Sequence, residues 1–196
     1  MKVIGVTGGV GSGKSRVLEF LTTEYSATLC QADHVAWKLQ EPGQACYNEI
    51  VEVFGEDILN EDHTINRSAL GAIVFADRER LNVLNHIMHP AVKEYIIQWI
   101  QEETCKNTAY FFLEAALLLE ENYQEICDEI WYIYSREDVR CKRLSEIRGY
   151  GAEKIKAIMK TQLNDDEFRN ACDVIIDNSG DFESTCTQIR NRMSKI

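Results

Sequence analysis

The sequence predicts an α/β fold built on a doubly wound, five-stranded parallel sheet with an inserted helical lobe and an Arg-rich lid. Three observations predict it. Five short apolar runs alternate with stretches of helical periodicity, the pattern of parallel strands joined by crossover helices. The first run, Val3 to Val6, leads directly into Gly8-Gly9-Val10-Gly11-Ser12-Gly13-Lys14-Ser15, which opens into the helix-periodic Arg16-Val17-Leu18-Glu19-Phe20-Leu21. The alternation is then interrupted, from about 43 to 104, by a block that is nearly all helix-periodic.

The Gly-rich stretch has the spacing G-x-x-x-x-G-K-S in its required strand–loop–helix setting, a phosphate loop. Its glycines let successive N–H groups turn inward toward phosphate oxygens, and the positive end of the following helix adds to that field. Lys14 supplies a mobile charge for the β- and γ-phosphates, and the Ser15 hydroxyl suits Mg²⁺. The expected ligand is a nucleoside triphosphate, and the expected fold is of the P-loop NTPase type.

The second strand, Ala27 to Cys30, ends at Gln31-Ala32-Asp33. Asp33 therefore falls at the carboxyl edge of the sheet, on the side of the phosphate loop. On position alone, a helix cap and a catalytic carboxylate are equally open there. Glu41-Pro42-Gly43 breaks the next helix. In the helical block, Asn66 is a candidate cap for a helix carrying Leu70, Ile73, Val74 and Phe75. Leu81 to Met88 continue the pattern, and Pro90 is expected to open a long amphipathic helix with Val92, Tyr95, Ile96, Trp99 and Ile100 on one face. These stripes read as core packing. Ala109 to Leu113 suits a central buried strand ending at Glu114. That residue is either a carboxylate that organises Mg²⁺ and water or a solvent-side strand end. Ile130 to Tyr134 is the fourth strand. A helix with Arg136, Arg140, Lys142, Arg143 and Arg148 follows, then Gly149-Tyr150-Gly151 and a further helix to Leu163. Residues of about 140–163 read as a mobile lid over phosphates, or else as a plain solvated hairpin. Val174 to Asp177 is the last strand, Asn178-Ser179-Gly180 a turn, and Phe182 to Met193 the closing helix. The whole, 1–196, reads as one P-loop domain.

Composition narrows the partners. The net charge of −11 over 196 residues opposes a nucleic-acid surface, which needs a basic footprint. Seven scattered cysteines form no C-x-x-C and suit reduced thiols. The chain enters its first strand at once, and no apolar run reaches the ~20 residues that span a bilayer. A soluble, cytoplasmic protein with no membrane contact is expected, its oligomeric state open.

A guanine-selective [NT]-K-x-D motif is absent, and an inserted lobe with an Arg-rich lid suits a small-molecule kinase, which closes on its substrates to exclude water. The residues resemble the dephospho-coenzyme A kinase family over nearly the whole chain. Thr7 through Ser15 match its T-G-G-[IV]-G-S-G-K-S. Ala32-Asp33 and Glu41-Pro42-Gly43 match its D-A-D and E-P-G blocks. Arg67, Phe75, Leu84-Asn85 and His89-Pro90 match its acceptor-side lobe. Leu117-Leu118 with Glu120 and Asp177-Asn178-Ser179-Gly180 match two later blocks.

The resemblance implies transfer of the ATP γ-phosphate to the ribose 3′-hydroxyl of dephospho-coenzyme A, the last step of coenzyme A synthesis. It implies that Gly9, Val10, Gly11, Ser12, Gly13, Lys14, Ser15 and Arg16 hold ATP, with Mg²⁺ at Ser15 and Asn178 near the adenine. It implies Asp33 as general base, with Lys14, Arg143 and Arg148 acting on the transferred phosphate. His89 and Pro90 are a structural pair or an acceptor contact. Four positions depart from the pattern. Gln31 replaces the first Asp of D-A-D, Trp37 an acceptor-side Arg, Ala116 a Pro and Ile147 a lid Arg. The Gly149–Gly151 stretch is expected to end the helix near Ile147 and let Arg148 turn back to the face of Arg143. Two other readings remain: a kinase for another nucleoside or nucleotide acceptor, and a nucleotide-binding protein without transfer.

Overall fold

The computed structural model describes all 196 residues. Strands β1 (Lys2–Thr7), β2 (Thr28–Gln31), β3 (Tyr110–Glu114), β4 (Glu129–Tyr134) and β5 (Val174–Asp177) form one sheet in the order β2-β3-β1-β4-β5. β1 pairs in parallel with both β3 and β4, and β4 with β5. The five expected strands are all present, shifted by a residue or so at their ends.

The chain divides into two compact units, Met1–Leu29 with Glu103–Ile196, and Cys30–Glu102. In the first, the sheet face is covered by α1 (Lys14–Tyr25) and α9 (Phe182–Met193). Val17, Leu18 and Leu21 of α1 and Ile189 and Met193 of α9 meet Ile4, Val6, Phe112, Trp131 and Ile133 of the strands in one core. The central strands are buried on both faces, with consecutive residues shielded along each. α6 (Glu137–Arg148), α7 (Ala152–Lys160) and α8 (Asp165–Ala171) lie between β4 and β5 in the chain.

The second unit holds α2 (Ala32–Leu39), α3 (Tyr47–Phe54), α4 (Arg67–Ala76) and most of α5 (Arg78–Cys105). It begins at Cys30, earlier than the expected 43, and so includes the helix that carries Asp33. Contacts inside the unit bind α2 to the later helices: Lys38 Nζ donates to the Tyr95 hydroxyl at 2.7 Å. Asn66 caps α4 as expected, its Oδ1 accepting from Ser68 and Ala69 N–H. Pro90 does not open a helix. It lies inside α5, which runs 28 residues without a break. Proline there removes the bond to the His86 carbonyl, but Pro90 and His86 are both exposed, so the lost bond falls on the solvent-facing side of the helix. No helix is long and apolar enough to cross a membrane, and all seven cysteines are unbridged.

One buried carboxylate ties the first unit together. Glu103, 8% exposed, accepts from Lys106 Nζ at 2.8 Å, Thr108 Oγ1 at 2.7 Å and Thr28 Oγ1 at 2.8 Å. These bonds hold its carboxyl down to about 2. A depressed folded-state value means that its stabilisation is complete above the ordinary carboxylate range and is lost as pH falls toward 2. In urea unfolding, wild type should exceed Glu103→Gln in stability near neutral pH, and the margin should shrink on going to about pH 3. A margin that stays constant would mean that the charge contributes nothing.

Candidate active site

The phosphate loop joins β1 to α1, and its residues line a cavity of about 470 Å³ with Arg16, Glu114, Arg143, Ile147, Arg148 and Gln162. Lys14, Arg16, Arg143 and Arg148 bring four cations to one cavity in a chain of net charge −11. Lys14 Nζ donates to the Gly8 carbonyl. The Arg16 guanidinium lies 3.9 Å from the centre of the Phe182 ring and makes no ion pair. Burial, and secondarily the charge of Arg16, push the Arg143 value down from that of a free guanidinium. The site thus concentrates positive field where phosphates would bind. Ser15 and Glu114 line the same cavity, two hard oxygen donors of the kind that suit Mg²⁺.

The loop is held from behind by a buried brace. The Ser12 carbonyl accepts from Asn178 Nδ2 at 2.7 Å, Ser135 Oγ at 3.0 Å and Arg143 Nη1 at 3.1 Å. Arg143 Nη2 also donates to the Asn178 carbonyl at 2.8 Å, and the Thr185 hydroxyl donates to Asn178 Oδ1 at 3.1 Å. The brace dictates Gly13: its φ of 89° disfavours any side chain, and a Cβ there would collide with the Asn178 amide. A second tie holds the loop tip. Gln162 Oε1 accepts from Val10 N–H at 2.9 Å and from Arg140 Nη2 at 3.2 Å, while Arg140 Nε donates to the Val10 carbonyl at 2.9 Å. The Arg140 guanidinium fills the space where a Cβ on Gly9 would lie.

Asn178 is 3% exposed and both ends of its amide are used inside the protein. Its side chain secures the loop. The helix α6 ends one residue beyond Ile147, at Arg148, which stays helical and does not turn back, and it is closed by Gly149 at φ 64° with the Tyr150 N–H returning to the Leu144 carbonyl. Residues five apart on a continuous helix diverge by about 140°. Arg143 accordingly points at the loop backbone, and Arg148, exposed and with no bond to another protein group, stands at the cavity rim. Ser135, Gln162 and Thr185 were not singled out by the sequence. Ser135 had one usable signal, its place just beyond the carboxyl end of β4; Gln162 and Thr185 had none.

Asp33 belongs to the second unit. It is the second residue of α2, exposed, and its carboxylate makes no hydrogen bond within the protein. The capping position is Gln31, whose side chain does not cap. The helix-cap reading of Asp33 is therefore excluded.

Comparison with known proteins accords with this geometry. The model of the dephospho-CoA kinase family matches residues 2–184. The chain belongs to the dephospho-CoA kinase family. Among relatives in that family, the dephospho-CoA kinase of Carboxydothermus hydrogenoformans is 38% identical over all of this chain and 94% of its own length. That of Corynebacterium glutamicum is 33% identical over the whole of both chains. Of solved structures, dephospho-CoA kinase from Campylobacter jejuni superposes with a TM-score of 0.75 at 25% identity, covering all of this chain and 97% of that one. A Thermus thermophilus protein reaches 0.82 at 24% identity, with the same coverage, and shares the fold. So does a shikimate kinase from Acinetobacter baumannii, at 0.54 and 13% over all of this chain and 94% of the other. The parallel α/β sheet of this dephospho-CoA kinase family member is thus also found in other small-molecule kinases.

Proposed function

We propose that this chain transfers the γ-phosphate of ATP to the ribose 3′-hydroxyl of dephospho-coenzyme A, yielding coenzyme A and ADP. The observation that carries the reading is the family match from residue 2 to 184, which spans both units and includes an intact phosphate loop. Loop N–H groups and the N-terminus of α1 receive the phosphates. Lys14 leaves the Gly8 carbonyl for the β- and γ-phosphate oxygens, trading a neutral acceptor for an anionic one. Ser15 and Glu114 would hold Mg²⁺, which neutralises phosphate charge when bound. Arg143 keeps the loop in its receptive shape, and Arg148 meets charge that develops on the transferred group. The Asp33 carboxylate takes the proton of the attacking hydroxyl. Seven unbridged thiols fit work in the reducing cytoplasm.

With ATP and Mg²⁺, incubation with dephospho-coenzyme A should yield a product heavier by one phosphate, located at the ribose 3′ position. If the product is not formed while a nucleoside monophosphate is phosphorylated well, the reading is wrong and the acceptor is a nucleotide.

A further inference from the structure

Gln162 lies just beyond the end of α7 and lines the phosphate-loop cavity. Its Oε1 accepts from two donors, the Val10 N–H at 2.9 Å and Arg140 Nη2 at 3.2 Å. Neither of those groups can accept a hydrogen bond, so the amide is held one way round, oxygen toward them. Arg140 closes the ring by donating from Nε to the Val10 carbonyl at 2.9 Å. A planar amide fixed through its oxygen has its nitrogen fixed as well. That nitrogen, Nε2, carries two N–H donors and bonds to nothing in the protein. Arg140 does not line the cavity, whereas Gln162 does.

The place where Gln162 joins the loop selects the part of a nucleotide that meets it. Lys14 Nζ, the group that reaches the β- and γ-phosphates, rests on the Gly8 carbonyl. Gly8 to Val10 is therefore the side of the loop nearer the terminal phosphate, and the N-terminus of α1 the side nearer the others. Gln162 is tied to Val10, on the terminal side. Lys14 must leave the Gly8 carbonyl to serve a phosphate, but the Gln162 amide is already set. A donor oriented before the reaction costs no reorganisation as charge develops.

We propose that Gln162 is a further catalytic residue, its Nε2 donating to a non-bridging oxygen of the terminal phosphoryl group, with Arg140 as the positioning residue that fixes the amide. During transfer the bond from phosphorus to the departing diphosphate oxygen breaks, and the bond to the acceptor oxygen forms. The amide neither gains nor loses a proton; it stabilises charge on the oxygen that it touches. The transfer step rests on the function proposed above, and the contact with the terminal phosphate does not.

The test compares calorimetric binding of a non-hydrolysable ATP analogue with that of ADP, which lacks the terminal phosphate, and adds turnover. In Gln162→Glu the carboxylate still accepts from Val10 and Arg140, so the tie to the loop survives and only the donor is lost. Binding of the analogue should weaken about ten- to a hundredfold, the worth of a hydrogen bond to a charged group, and binding of ADP far less. Gln162→Met removes the donor without adding charge, and it should also weaken the analogue more than ADP. In both variants kcat should fall about a hundred- to a thousandfold, the effect of losing one donor to transition-state charge. Arg140→Met, which frees the amide to turn, should reproduce part of the selective loss. Equal losses for the analogue and ADP would make Gln162 a support of the loop only, and wild-type kcat in Gln162→Met would equally overturn the proposal. Analogue binding unchanged in Arg140→Met removes Arg140 as the positioning residue. If the selective loss is found but dephospho-coenzyme A is not phosphorylated, the function proposed above fails and the contact with the terminal phosphate stands.

Discussion

Replacing Asp33 by Asn should lower kcat by about a hundred- to ten-thousandfold, the usual worth of general-base assistance. A neutral ribose hydroxyl keeps its proton near neutral pH and attacks well only if that proton is accepted as the new bond forms. Asn preserves the size of the side chain and removes the base. The structure makes the experiment clean. The Asp33 carboxylate bonds to nothing in the protein, and the cap position of α2 is Gln31. The substitution therefore costs only the weak attraction between a carboxylate and a helix N-terminus, under about 1 kcal/mol. KM for ATP should scarcely change. Near-normal turnover in Asp33→Asn, with an unaltered melting temperature, would remove Asp33 from the chemistry.

Arg143→Ala and Arg148→Ala should both slow turnover, but with opposite signatures in binding and stability. Arg143 donates to the Ser12 and Asn178 carbonyls and to Ser135 Oγ, which converge beneath the loop. Charge-assisted bonds of this kind contribute about 1.5–3 kcal/mol. Their loss should lower the urea midpoint and raise KM for ATP, because the loop relaxes from the shape that receives phosphates. Arg148 makes no internal bond. Its removal should leave stability and KM for ATP as they are and lower kcat roughly a hundredfold, the effect of losing one donor to transition-state charge. If Arg148→Ala turns over within about twofold of wild type, Arg148 is a rim residue with no part in transfer. If Arg143→Ala leaves stability and ATP binding intact, the brace is not what shapes the loop.

The sequence by itself determined the architecture and the nucleotide site. Strand periodicity and the glycine spacing are local signals, because a phosphate loop is built from consecutive backbone N–H groups. Gly8 through Ser15 therefore announced their role without any knowledge of neighbours. Asn66 was legible for the same reason, since a cap reaches only two or three residues ahead. Local signals misled where a longer context prevailed. Pro90 resembles a helix start, yet the packing of α5 carries the helix through it and an exposed face bears the lost bond. The Gly149–Gly151 stretch predicts a helix end near Ile147, but a left-handed glycine terminates a helix after its last residue, which leaves Arg148 helical. Tertiary structure alone decided the partners of the loop. Ser12, Ser135, Arg143, Asn178 and Thr185 span most of the chain, and no spacing rule links them. Asn178 is a nucleotide contact by the resemblance, which puts the adenine near the last strand and its turn. Only the fold, by burying its amide against the Ser12 carbonyl, shows that its hydrogen bonds are made within the protein. The tie of Gln162 to Val10 is of the same kind, because two residues 152 positions apart become neighbours only when the chain folds.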